Sequence, residues 1–135
     1  MVQNNGLEFE YIVQAFFEER GVSIFETPGS NDFGADLVLY RNGKIAVIQC
    51  KCHSSPVGIH AVQEVVGAIK HYGADAGIVI SNQPFTRQAV ALAHSNHVLL
   101  IDGCMLQAMM DGVSDEILFV DDFLAGLQKY SPVRQ

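Results

Sequence analysis

The chain has 135 residues, of which 49% are hydrophobic and 17% charged, a size and balance expected of one compact domain with a substantial apolar core. No run approaches the roughly 18 apolar residues of a membrane helix, so a membrane span is excluded. The net charge of -7 also excludes the broad basic surface with which nucleic-acid proteins usually meet phosphate.

The acidic excess is uneven. From Asp102 onward there are six acids against Lys129 and Arg134, whereas nine acids and six bases precede it. The start, MVQNNGLEFE, has neither a basic nor an apolar run, so no secretory leader is expected. Three cysteines is an odd number, and Cys50 and Cys52 stand too close in one strand to bridge. A reduced, cytoplasmic compartment is the expectation.

In chain order, residues 6–20 predict a helix: Phe9, Ile12, Val13 and Phe16 form an apolar stripe that ends at Arg20, and Gly21 stops it. VSIFET predicts a short strand, closed by the turn formers PGSND, in which Asp32 and Gly34 are expected to shape the loop. ADLVLYRNGKIAVIQCK reads as a hairpin about Asn42-Gly43. Helix is expected over 57–72, a buried strand over 76–80, helix again over 84–96, a second buried strand over 98–101, and closing helices over 105–110 and 117–127. The tail from about residue 130 is expected to fray. The sum is an α/β fold with a mixed sheet flanked by helices, and the strands at 76–80 and 98–101 are expected to run parallel.

The hairpin fixes a register. A two-residue type I′ turn places Arg41 opposite Lys44, and counting outward sets Asp36 opposite Gln49 at a non-hydrogen-bonded pair, about 4.5–5.5 Å between Cβ atoms. Lys51 then shares the face of Gln49 by the two-residue period. Leu37, Leu39, Ala46 and Ile48 are expected on one face, and Val38, Tyr40, Ile45 and Val47 on the other. An Asp36–Lys51 pair at a strand rim has an ordinary reading as a surface ion pair worth about 0–1 kcal/mol. A carboxylate, an amide oxygen and an ammonium at the end of a buried hairpin also suit a hard cation and an anionic oxygen. Mg²⁺ takes oxygen ligands and shares them with a substrate phosphate, and the lysine is placed to ease deprotonation of a water or to neutralise charge building on the phosphate.

The segments GLEFE, GSNDFGADLVLY, AVIQCK and PFTRQAVALA, from about Gly6 to Asp102, resemble the catalytic domain of Mrr-type restriction endonucleases within the PD-(D/E)xK nuclease superfamily. The resemblance implies a restriction-endonuclease-like fold and a metal-dependent DNA endonuclease. It implies Asp36, Gln49, Lys51 and Glu10 as the catalytic set, with Asp36, Gln49 and Glu10 holding Mg²⁺ (Mn²⁺ serving as a substitute). From the residues alone, Glu10 reads as a solvated glutamate beside an apolar stripe; only the resemblance gives it a role, with Glu8 as its competitor. Gln49 replaces the superfamily's usual acid, a variation shared within the Mrr-like branch. The resemblance further implies a substrate or metal-water contact for Gln63, which also fits a plain polar helix face. Thr86 and Arg87 sit where a helix start can meet a phosphate, although Thr86 also fits a routine cap.

Other constellations carry less. Cys50, Cys52, His53, His60 and His71 lack the paired spacing of zinc knuckles, and Cys50 is expected in the core. DGVSDEILFVDD does not fit a calcium loop, and His94 and His97 suit a helix C-terminus. Two functions stay open: a Mg²⁺-dependent endonuclease acting on DNA, and a non-catalytic nucleic-acid or protein interaction module on the same fold. The acidic balance favours the second and the intact ligand-type set the first. Cutting both strands of a duplex calls for two copies, so a homodimer or a partner chain is expected.

Overall fold

The computed structural model describes residues 6–28, 33–112 and 117–130. Asp32 and the tail beyond Tyr130 lie outside the described residues. Helix α1 (Gly6–Glu19) is followed by strands β1 (Ser23–Glu26), β2 (Leu37–Arg41) and β3 (Lys44–Lys51). After them come α2 (Ile59–Tyr72), β4 (Ala76–Ser81), α3 (Arg87–His94), β5 (Val98–Ile101), α4 (Gly103–Met110) and α5 (Leu118–Tyr130). No described helix is long and apolar enough to cross a membrane.

The five strands form one sheet in sequence order, β1-β2-β3-β4-β5. The first three are antiparallel, and β3, β4 and β5 are parallel. Local chemistry explains the boundaries. Arg20 ends α1 by donating from Nη1 to the Phe16 carbonyl at 2.9 Å, with its guanidinium 3.8 Å over the Phe16 ring. Gly21 then takes φ +78, open to glycine at little cost. Thr86 caps α3 by accepting from Ala89 N at 3.2 Å, and Asp102 caps α4 by accepting from Met105 N at 2.9 Å. Asn42 and Gly43 both take positive φ, 54 and 77, as a type I′ turn requires.

The sheet separates two cores, and the residue alternation along the hairpin decides which side chain enters which. Leu37, Leu39, Ala46 and Ile48 face α1, α4 and α5, where Val13, Phe16, Phe17, Leu106, Met109, Val120 and Leu124 meet them. Val47, with Val38 packed against it, faces α2 and α3 among Val62, Val65, Ala89 and Ala93. β4 is buried along its whole length, as a central parallel strand covered on both faces should be. The hairpin turn itself is held to α5: Arg41 donates to both Asp121 oxygens, at 3.0 and 3.2 Å, and Asn42 adds a third bond at 3.4 Å.

Candidate active site

The C-terminal end of β3 is the meeting point. Gln49, Cys50 and Lys51 stay in register with Val79, Ile80 and Ser81 of β4 on one side. On the other side the β2 pairing ends at Leu37 and Ile48. This corrects the register expected at the end of the hairpin. The turn and the pairs from Arg41–Lys44 to Leu37–Ile48 are as the Asn-Gly turn dictates, but Asp36 does not oppose Gln49. Asp36 N donates to Ile48 O at 2.7 Å, so Asp36 and Leu37 both face Ile48, the two-against-one arrangement of a β-bulge.

Thr27 explains why the chain turns there. Its hydroxyl donates to the carbonyls of Ala35 at 2.9 Å and Asp36 at 3.3 Å, and its amide donates to Asp36 O at 3.0 Å. The backbone is drawn toward β1 just where alternation would have carried on. The bulge re-aims the Asp36 side chain: Oδ2 accepts from Cys50 N at 2.8 Å, and the carboxylate meets Glu10 of α1. The acid and the amide–amine pair thus reach the strand end from different sides, joined at Cys50, the residue between Gln49 and Lys51.

Electrostatics follow from that packing. Glu10 is pushed up to about 7, first by burial, then by the charge of Asp36 and a hydrogen bond to it, and last by Glu26. Beside the Asp36 carboxylate, Glu10 holds its proton far more tightly than an exposed glutamate unless a cation takes the proton's place. The Cys50 thiol is pushed up well above its ordinary value by burial, then by Asp36 and Glu10, so it stays a neutral thiol. Glu8 is exposed, whereas Glu10 is half-buried beside Asp36.

On the α2 side, Gln49 is 4% exposed. Its Nε2 donates to Gly34 O at 3.1 Å and to Glu64 Oε1 at 3.3 Å. Those two acceptors fix the amide orientation and leave Oε1 with no donor among the described residues. Lys51 Nζ lies 3.0 Å from the same Glu64 oxygen. Glu64 therefore organises both strand residues; Gln63, for which the family resemblance implies a substrate or metal-water contact, does not bond either of them. Gln63 instead bonds His60 at 3.1 Å and borders the same cleft. Nothing in the sequence singled out Glu64, because the rotation of a helix over a sheet is set by packing and not by its own spacing.

Thr86 and Arg87 do not join this group. The Thr86 hydroxyl is taken by the α3 cap, and Arg87 is exposed with no ion pair among the described residues. Their link to the site is indirect, through the Val57–Phe85 bridge and Thr86 N donating to Val57 O at 3.0 Å.

The residues present fit a hard cation by donor chemistry. Among the described residues no three His, Cys, Asp or Glu side chains gather as a metal-holding group. The acid part is a pair, Glu10 and Asp36, and the further oxygen is the unclaimed, buried Gln49 Oε1. Oxygen donors of low total charge are what Mg²⁺ accepts when it keeps waters and substrate oxygens as its other ligands.

Comparison with known proteins agrees with this architecture. No curated protein matches the chain. Among solved structures, the modification-dependent restriction endonuclease AspBHI superposes with TM-score 0.59 at 17% identity, over 93% of this chain and 36% of its own. The MspJI restriction endonuclease, solved with a 27-mer oligonucleotide, gives TM-score 0.52 at 24% identity, over 90% of this chain and 30% of its own. A protein of unknown function, AF1548, gives TM-score 0.58 at 21% identity, over 68% and 55% of the two chains. This chain thus spans about a third of the two endonucleases it resembles. The model of the restriction endonuclease family of Mrr catalytic type matches residues 1–110, and the chain belongs to that family.

Proposed function

We propose that the protein is a divalent-metal-dependent DNA endonuclease, with Mg²⁺ as its metal and Mn²⁺ as a substitute, and that it hydrolyses phosphodiester bonds at the C-terminal end of β3. The observation that carries the reading is the buried Gln49 with an unclaimed oxygen, flanked by an acid pair on one side and Lys51 on the other. Such an arrangement is unusual for an ordinary fold: close carboxylates repel, and Gln49 brings an amide oxygen with no donor among the described residues to the edge of an open cleft.

Asp36, Glu10 and Gln49 Oε1 are the groups that hold the metal in this reading. When bound, the ion supplies a polarised phosphate oxygen and a more acidic water. The chain's own residues do the rest. Cys50 N fixes the Asp36 carboxylate, and Gly34 O and Glu64 fix the Gln49 amide so that its oxygen points away from them. Glu64 holds the Lys51 ammonium beside the strand end, where its positive charge favours the pentacoordinate phosphate over the ground state. Glu64 is thus a positioning residue, and Lys51 the cationic one.

The test is a panel of labelled duplex, methylated, branched and RNA substrates, incubated with Mg²⁺ or Mn²⁺. Cleavage of DNA is expected, with Lys51→Ala slowed by about 10²-fold or more, on the scale of removing one stabilising group from a transition state. Asp36→Asn should lose Mg²⁺ binding by calorimetry while keeping its thermal transition. The competing reading, a non-catalytic interaction module, draws on the net charge of -7. It is upheld if every substrate stays intact with both metals.

A further inference from the structure

Beside the strand end lies an open cleft of about 410 Å³. Lys51 and Gln49 line it together with Phe33, Gly34, Gln63, Glu64 and Gly67. Phe33 is 52% exposed, and a single exposed phenylalanine needs no explanation. This one is held in place. Its ring stacks on His71 with centroids 3.7 Å apart and planes at 12°, and Tyr72 meets it edge-on at 6.4 Å. The next residue, Gly34, has φ +83, and any side chain there would collide with the Glu64 backbone carbonyl. Gln49 also donates to Gly34 O at 3.1 Å. The Phe33 ring is therefore fixed against α2 by its own stacking, by its neighbour's close approach, and by the site itself.

Gly67 points the same way independently. It sits inside α2, where glycine weakens a helix more than any residue but proline. Yet a Cβ built there meets nothing within 4 Å, so internal packing does not demand it. Bare backbone at that position leaves open a part of the cleft that Phe33 also lines.

We infer that Phe33 and Gly67 form a slot for an unpaired nucleobase of the DNA strand whose phosphate lies at Lys51, with Gln63 at the base edge. The inference rests on the endonuclease reading and narrows its substrate to DNA with an unstacked base beside the scissile bond. A base inside a duplex has both faces covered by its neighbours and cannot lie on Phe33. An unpaired or extruded base offers a free face, and stacking on an aromatic ring accepts any base. The site-bordering cleft is within the size range of ligand pockets.

The test uses Lys51→Ala protein with Mg²⁺ and two DNAs, one carrying 2-aminopurine in a one-base bulge and one carrying it paired in duplex. Fluorescence of the bulged probe should fall severalfold on binding, and that of the paired probe should not. Adding Phe33→Ala or Gly67→Leu should abolish the drop, whereas Phe33→Tyr should keep it. Gly67→Leu should not lower the melting temperature, since its side chain enters open space. In protein with Lys51 intact, the ratio of kcat/KM for bulged over paired DNA should fall by about fivefold or more in Phe33→Ala, the size of one lost base stack. If Phe33→Leu matches the native chain in both measurements, stacking is not the interaction and the slot is overturned. If DNA is cut but Phe33→Ala and Gly67→Leu leave the probe and the ratio unchanged, the slot is overturned and the nuclease reading stands. If the native chain neither binds nor cuts any DNA, both fall together.

Discussion

Glu10 illustrates how far one side chain can be read before its surroundings are known. On the helix it is one of two glutamates two residues apart, and only the family resemblance preferred it to Glu8. In the fold it is the half-buried one, pressed against Asp36 and raised from 4.5 to about 7. A carboxyl whose folded value is raised binds its proton more tightly in the native state, so it contributes stability below pH 4.5 that is lost as pH rises through about 7. Metal-free native protein should therefore lose melting temperature relative to Glu10→Gln as pH goes from 4.5 to 8. Parallel melting curves for the two proteins would refute the raised Glu10. The strand residues Gln49 and Lys51 were legible from alternation alone. Glu64, which binds both, was not, since only the seating of α2 on the sheet brings it over them.

At the level of elements, the hairpin shows what local sequence controls and where that control stops. Asn42-Gly43 dictates the turn, and the turn dictates five residue pairs down to Leu37–Ile48. The cost of denying it is predictable: Gly43 has φ +77 and nothing near a built Cβ, so Gly43→Ala should cost only the left-handed backbone penalty, about 1–2 kcal/mol. Urea unfolding should show a lower midpoint with an unchanged slope. Because the turn lies at the opposite end of the strands from Lys51, kcat should stay at its native value. The sixth pair fails because Thr27, nine residues before Asp36, captures two carbonyls of the incoming strand. No pattern within the hairpin carries that information. It belongs to a contact between β1 and the loop, and the bulge it creates brings the acid against Glu10 of α1 while its Oδ2 accepts from Cys50 N, next to Gln49.

For the whole molecule, charge is the feature to reconcile with a polyanionic substrate. Of the six basic residues before Asp102, Arg41 is bound to Asp121, Lys51 to Glu64, and Arg20 to the end of its own helix with Glu19 at 3.6 Å. Lys44, Lys70 and Arg87 remain without ion pairs among the described residues. With these three and Lys51 on phosphates, log affinity for duplex DNA should fall against log salt with a slope of about -4. Fluorescence anisotropy between 50 and 200 mM salt (at fixed Mg²⁺), spanning about one Debye-length regime, checks this, and a slope steeper than about -6 would require a basic surface the chain does not display. The overall layout was legible in outline, since buried and alternating runs announce different strands, while the meeting of helices with particular strand ends was not. The sequential strand order has one last consequence for assembly. Glu10, Asp36, Gln49 and Lys51 all precede β4 along the chain, yet β3 borders β4 along Gln49, Cys50 and Lys51. The segment up to Lys51 therefore carries every proposed reactive group and still cannot hold them in working order until the strand at Ala76–Ser81 has been synthesised and has docked.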